Sequence, residues 1–361
     1  MVSKIILTVP DSDQSQELAD AVRAATGATP LRIVGSGTKN FYGRVPHGQP
    51  LSLSKHRGIV SYEPTELVLT ARAGAPLSEI EAALAANNQM LAFEPPHFGE
   101  PATLGGTIAC GFSGPARPYT GAARDFVLGA TIINGKGEVL SFGGQVMKNV
   151  AGYDLSRLMV GALGTLGVLL EISLKVLPKP DAECTLAFKQ PADRALEQIA
   201  TWSGLPIPLS AACHVGDRLY VRLSGYEQTI RAARTKLGGD ENREGTKFWQ
   251  ALREHRLNFF ENDAPLWRLS VPPATASINL PGDWLIDWGG AQRWLRTTAP
   301  STDVWAATQR VGGHATLFRG GDRAAEVFQP LAAPLLQLHQ NLKQAFDPNG
   351  VLNPGRYTAA W

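Results

Sequence analysis

Three glycine-dense segments are the part of this chain best suited to chemistry. They are Gly35-Ser36-Gly37-Thr38, then Thr103-Leu104-Gly105-Gly106-Thr107 running on to Gly111 and Gly114, and Gly161-Ala162-Leu163-Gly164-Thr165-Leu166-Gly167. Glycine turns with positive φ and lets main-chain N–H groups approach a ligand with no Cβ in the way. Successive N–H groups exposed in this manner form a nest that suits a diphosphate. Any one segment is equally a tight turn. Three of them, each beside an apolar run, favour binding.

Neither standard nucleotide motif fits. A dinucleotide fingerprint reads G-x-G-x-x-G between a strand and a helix, whereas Gly35-Ser36-Gly37-Thr38-Lys39-Asn40 lacks the third glycine and leads into no helical pattern. An ATPase-type phosphate loop needs a longer glycine spacing before Lys-Ser/Thr, and here Asn40 follows Lys39.

The elements that must hold these segments are α/β in character. Leu18, Ala21, Val22 and Ala25 fall at helical spacing, with Asp11 or Asp13 as candidate caps and Gly27 as a stop. Residues 31–34 read as a strand delivering the chain into Gly35. Residues 67–73 are another strand, and Pro76 opens a helix with Leu77, Ile80 and Leu84 on one face. Residues 126–133 and 138–142 form a hairpin about Asn134-Gly135-Lys136-Gly137, and residues 168–177 close the half as a long apolar strand. Further on, strands are expected at 185–188 and 219–223 and helices at 192–202, 228–237 and 333–346. No strong internal repeat is visible. The economical fold is α+β, a sheet with helices on one face.

Composition divides the chain in two. Residues 1–180 carry 22 of the 37 glycines while all eight tryptophans lie beyond residue 200, and Pro178-Lys179-Pro180 punctuates the change. The expected domains are 1–180, 181–335 and a C-terminal segment, 336–361, that returns to the first domain. A net charge of +2 implies no nucleic-acid partner and no membrane-steering field. The N-terminal stretch carries no signal-peptide core, and the apolar run at 158–170 is too short and glycine-rich to span a bilayer. A soluble cytoplasmic protein is expected. Cys110, Cys184 and Cys213 stand too far apart for a disulfide framework or an iron–sulfur cluster, so no metal is expected.

The segments Val34-Gly35-Ser36-Gly37-Thr38, Thr103 through Arg124-Asp125, Val146-Met147-Lys148-Asn149-Val150-Ala151-Gly152-Tyr153-Asp154-Leu155 through Gly167, and the ending Phe346-Asp347-Pro348-Asn349-Gly350-Val351-Leu352-Asn353-Pro354-Gly355-Arg356 together resemble the flavin-binding family typified by vanillyl-alcohol oxidase and p-cresol methylhydroxylase (PCMH). Residues 281–294 and Gly312-Gly313-His314-Ala315-Thr316-Leu317-Phe318-Arg319 are similar to the FAD-binding subunits of bacterial glycolate oxidases (glycolate dehydrogenases) within that family. The resemblance implies a PCMH-type FAD domain of two subdomains plus a ferredoxin-like cap. It further implies a complex with a larger FAD-containing subunit and an iron–sulfur subunit, oxidising glycolate or another small 2-hydroxy acid. Any membrane association would come through those partners rather than by direct insertion.

By the same resemblance, Gly35, Ser36, Gly37, Thr38 and Lys39 with Thr103, Leu104, Gly105, Gly106 and Thr107 hold the FAD diphosphate, and Gly111 and Gly114 let the backbone past it. Gly164, Thr165, Gly167 and Val168 lie against the cofactor's other side. Tyr119, Gly121, Arg124 and Asp125 belong to a loop reaching the flavin, with a surface ion pair as the alternative for Arg124. Asn353 and Arg356 approach from the tail; Tyr153 and Asp154 are read either as cofactor neighbours or as structural hydrogen-bonders.

Many relatives attach flavin through a histidine where this chain has Thr38. A threonine hydroxyl cannot make that bond, so FAD is expected to be non-covalent. Relatives that oxidise 2-hydroxy acids carry a paired-histidine motif, whereas His314 and His214 each stand alone. A base at the hydroxyl and a cation at the carboxylate are what the reaction wants. His314 and Arg319 could supply both only if a bend intervenes, because their five-residue spacing sends them to opposite faces of a straight strand. Trp284, Trp288 and Trp294 fit core or partner-facing roles better than flavin stacking. The leading reading is an FAD subunit of a glycolate-oxidising complex. The alternatives are a self-sufficient flavin dehydrogenase, which the missing histidine pair disfavours, and a non-catalytic assembly subunit, which would not require all three glycine segments.

Overall fold

The computed structural model describes residues 11–144 and 154–361. Residues 146–152, which carry part of the family resemblance, and Tyr153 lie outside the described residues. The chain divides into two compact units: Ser113–Gly121 with Lys179–Gln329, and the remainder up to Phe112, Ala122–Pro178 and Pro330–Trp361. The expected boundaries at 180 and 336 thus move by a few residues. The excursion at 113–121, in mid-domain, has no compositional mark.

The first unit begins with α1 (Ser15–Ala24), which buries Leu18, Ala19 and Val22 at helical spacing. Asp13 Oδ1 accepts from Ser15 N–H at 2.8 Å at the start of this helix, while Asp11 does not cap it; both also flank the buried Arg72 guanidinium, at 2.6 and 3.0 Å, together with Glu171 at 2.8 Å. A parallel pair, β1 (Leu31–Val34) and β2 (Gln49–Ser52), follows. The main sheet is antiparallel throughout, in the order β3-β4-β8-β6-β7. Its strands are β3 (Ile59–Glu63), β4 (Val68–Arg72), β6 (Val127–Ile133), β7 (Val139–Gly143) and the central β8 (Val168–Lys175). β8 is buried on both faces, which is why its sequence reads as a continuous apolar run rather than an alternation. β5 (Gln89–Met90) pairs antiparallel with β9 (Leu177–Pro178), which directly follows β8 in the chain. The helices are α2 (Leu77–Ala85), α3 (Leu104–Cys110), the single turns α5 (Ala123–Phe126) and α6 (Leu155–Leu158), and α11 (Ala333–Phe346). The core joins Leu69, Ile80, Leu104, Ile108, Ile132 and Leu170.

The second unit holds α4 (Arg117–Thr120) and an eight-stranded sheet ordered β13-β10-β12-β11-β15-β16-β14-β17. Its first half runs β10 (Ala182–Lys189), α7 (Ala192–Ser203), β11 (Leu209–Val215), β12 (Arg218–Gly225), α8 (Glu227–Leu237) and β13 (Asp240–Glu241), the β-α-β-β-α-β order of a ferredoxin-like unit. After α9 (Gly245–Arg253), the second half supplies β14 (Leu266–Ser270), β15 (Asp283–Asp287), β16 (Gln292–Arg296), α10 (Ser301–Arg310) and β17 (His314–Arg319). Numbered along the chain, both halves place their strands 4-1-3-2, and they join edge to edge through antiparallel β11 and β15. This is a structural duplication that the sequence hides. Where α7 stands in the first half, the second has a non-helical loop through Pro272, Pro273 and Pro281. Among the described residues, no helix is long and apolar enough to cross a membrane.

Candidate functional site

The three glycine segments meet at one cavity of about 330 Å³, lined wholly by the first unit. β1, zipped to β2, carries the chain into Gly35. A Cβ there would sit 2.7 Å from Thr103 Oγ1, so the first two segments touch only because the residue is glycine. Gly37 takes φ +81, and Asn40 N–H donates to its carbonyl at 3.0 Å, closing a turn. Lys39 is buried, its Nζ donating to His97 O at 3.1 Å and to Thr38 Oγ1 at 3.3 Å.

The second segment is the start of α3. Thr103 is its N-cap, Oγ1 accepting from Gly106 N–H at 3.3 Å. Gly105 N–H donates to Ala73 O at 2.7 Å, and a Cβ at Gly105 would lie 2.7 Å from that of Ala73. A Cβ at Gly106 would meet only Thr103 Oγ1, at 3.2 Å; the rest of its surroundings are open. Gly111 ends the helix in the left-handed region. The third segment then docks onto that end, with Gly161 and Leu163 N–H donating to Ile108 and Ala109 O at 3.0 and 2.9 Å. Both are carbonyls of the helix's last turn, and Ile108 O also accepts from Gly111 N–H at 3.0 Å. Gly164, at φ +71, has no room for a Cβ beside Asn353 Nδ2.

Arg32, Lys39 and Arg356 line the cavity, and the lining holds no Asp or Glu. Arg356 Nη1 and Nη2 donate to Arg44 O and Lys39 O at 3.1 and 3.3 Å. Burial pushes this guanidinium below its usual range, with Cys110 and Tyr42 opposing the shift. A glycine-walled, cationic, carboxylate-free hollow can hold an anion through charge-assisted N–H bonds. The volume falls within the ~300–1,000 Å³ typical of ligand sites.

Of the expected cofactor residues, Gly35, Ser36, Gly37, Thr38, Lys39, Thr103, Gly105, Gly106, Gly164, Gly167, Asn353 and Arg356 line this cavity. Others stand apart for evident reasons. Leu104, Thr107 and Val168 are core residues. Gly111 is the α3 cap, and Thr165 Oγ1 is spent on Ala162 O at 2.7 Å. Arg124 is exposed, as is Asp125, whose Oδ2 accepts from Ala122 N–H at 2.8 Å to cap α5. Asp154 similarly caps α6. Gly114, Tyr119 and Gly121 belong to the second unit. There Trp288 Nε1 donates to Gly114 O at 2.9 Å and the Arg117 guanidinium lies 4.3 Å over the Trp288 ring. Burial first, then Asp287, pushes the Tyr119 phenol up to about 12. The sequence reading missed Arg32 and Cys110. Arg32 was legible as the cation one strand-step before Ile33, Cys110 only once α3 was known to end at the cavity.

His314 and Arg319 do not form a base–cation pair. A bulge does interrupt the pairing between β14 and the end of β17, but the two residues stand at opposite ends of that strand, roughly 16 Å apart at about 3.3 Å per residue. One small hydroxy acid cannot span that. The cation that acts on His314 is Arg268 on the adjacent strand; burial first, then Arg268, holds the imidazole below its ordinary value. Trp294 is core, packed edge-on to Phe318.

Residues 10–143 match the family described as FAD binding domain, and residues 320–357 the C-terminal domain of FAD linked oxidases. Glycolate oxidase subunit GlcE of Escherichia coli K12 is 53% identical over 350 residues, covering 97% of this chain and 99% of that one. Glycolate oxidase subunit GlcD of Bacillus subtilis is 34% identical over 175 residues, 47% of this chain and 37% of its own. Among solved structures, p-cresol methylhydroxylase with substrate bound superposes with TM-score 0.70 at 16% identity, over 97% of this chain and 89% of that one. Alkyldihydroxyacetonephosphate synthase gives 0.66 at 16%, over 96% and 76%. The fold is that of the PCMH-type flavoproteins.

Proposed function

The chain belongs to the FAD-linked oxidase family that includes glycolate oxidase subunit GlcE, and from that membership we propose that it is the FAD-binding subunit of a complex oxidising glycolate, or D-lactate, to the 2-oxo acid. The observation that carries the reading is the convergence of three glycine segments on a cationic cavity without a carboxylate. When bound, FAD supplies the electron acceptor for oxidation of the hydroxy acid. The chain's own work is to hold it. Lys39, Arg32 and Arg356 balance the diphosphate charge, the N–H groups about Gly37 donate to its oxygens, the open side of Gly106 leaves room for them, and glycines at 35, 105 and 164 keep the walls close. The residues fit the group.

The partners are a larger FAD-containing subunit of the GlcD kind and an iron–sulfur subunit that receives the electrons. The complex is cytoplasmic, with any membrane attachment through those partners. The separation of His314 from Arg319 supports relay through partners over independent turnover. Thr38 lines the cavity where many relatives place a flavin-linking histidine, which supports a non-covalent cofactor. Acid precipitation of the yellow protein should leave FAD in the supernatant. Flavin retained in the pellet, or a colourless protein that takes up no FAD, contradicts the assignment.

A further inference from the structure

The C-terminal tail reaches the cavity through a buried charge that packing alone does not explain. Lys343 is the one buried residue of α11, 6% exposed. Its ammonium has three N–H donors, and they meet Thr165 O at 2.9 Å, Leu352 O at 3.0 Å and Asp347 Oδ2 at 2.5 Å. Asp347, also buried, accepts from Val351 and Leu352 N–H at 3.0 and 2.8 Å. The straightened tail runs along β1, with Leu31 N–H donating to Val351 O and Asn353 N–H to Leu31 O. The Asn353 amide is spent within the protein, Oδ1 accepting from Ile33 N–H and Nδ2 donating to Leu163 O, each at 2.7 Å. Ile33 and Leu163 both line the cavity, and Ile33 packs against the third glycine segment, its Cδ1 3.1 Å from where a Cβ at Gly164 would stand. An apolar side chain would fill the Lys343 slot without the desolvation that a buried ammonium suffers. A fully satisfied polar network instead fixes one arrangement of the groups it joins.

We propose that Lys343, Asp347 and Asn353 form a clasp that sets the gap between β1 and the third glycine segment, and so act as positioning residues for FAD. The inference rests on the FAD reading above. Burial holds the Lys343 ammonium below its ordinary value against the pull of Asp347, in keeping with a charge retained only by its partners.

The test uses the full chain with Lys343→Met, which keeps the volume and removes the charge. Two quantities are read on folded protein: the FAD dissociation constant, and the maleimide labelling rate of the cavity-lining Cys110 without FAD. The clasp predicts that the constant rises about tenfold, as when a group that orients ligands is lost, and that Cys110 labelling changes. A lowered melting temperature with both readouts unchanged would mean that the network only stabilises, and would overturn the proposal. Should Lys343→Met not fold, the isosteric Asn353→Asp, which loses the donor to Leu163 O, is judged by the same readouts. A wild-type chain that binds no FAD defeats the FAD reading, and Cys110 labelling then decides the clasp by itself.

Discussion

Gly106 is the residue where the cavity is most directly testable. Its neighbours leave open space where a side chain would go, apart from Thr103 Oγ1 at 3.2 Å. Alanine there displaces one hydroxyl slightly, whereas the γ-methyls of valine enter the cavity. Losing one or two charge-assisted N–H bonds of ~1.5–3 kcal/mol each corresponds to about 100-fold in affinity. Gly106→Val should raise the FAD dissociation constant by that factor in a fluorescence titration, and Gly106→Ala by much less. Equal affinities for both would remove the diphosphate from this wall. At this scale much was legible. The glycines were readable because their spacing departs so far from ordinary composition. Arg124 and Asp125 were not, since nothing in their types separates a helix-capping carboxylate from a ligand.

Between elements, the first unit is tied by polar residues whose role emerges only from pairing. His56 is fully buried, its Nδ1 accepting from Gln14 N–H and its Nε2 facing Leu170 O, each at 3.1 Å. It thereby joins the start of α1 to β8. Burial first, then Arg72, holds its imidazole below 6.5. The unfolded chain takes up this proton near 6.5 and the folded chain resists it, so the contribution is complete above that pH and is lost as pH falls through the folded value. The urea midpoint should therefore decline in mild acid, and His56→Gln should flatten part of that decline. An unchanged slope in the variant would assign the loss to other groups. The helices at 192–203, 227–237 and 333–346 were expected from the sequence to within a residue at each end. β14, β15 and β16 were not, because these five-residue strands are buried on both faces or carry arginines such as Arg293 and Arg296 inside, which blurs the alternation.

For the whole molecule, the two-part organisation was legible from glycine and tryptophan usage, and the duplicated 4-1-3-2 sheet was not. Its halves share topology while one replaces a helix by a proline-rich loop, so no residue period survives. The return of the tail to the first unit was foreseen from its signature ending, but its mechanical part depends on the buried Lys343 contact to Thr165 O, 178 residues away. No sequence pattern encodes a partner at that distance. The central claim, that this chain carries FAD and passes electrons within a complex, is best tested by its anaerobic visible spectrum. The purified chain alone should show oxidised flavin bands that persist with glycolate and with D-lactate, and that bleach once the larger flavoprotein subunit is added with substrate. Bleaching of the isolated chain by either acid would contradict the relay and make it a self-sufficient dehydrogenase.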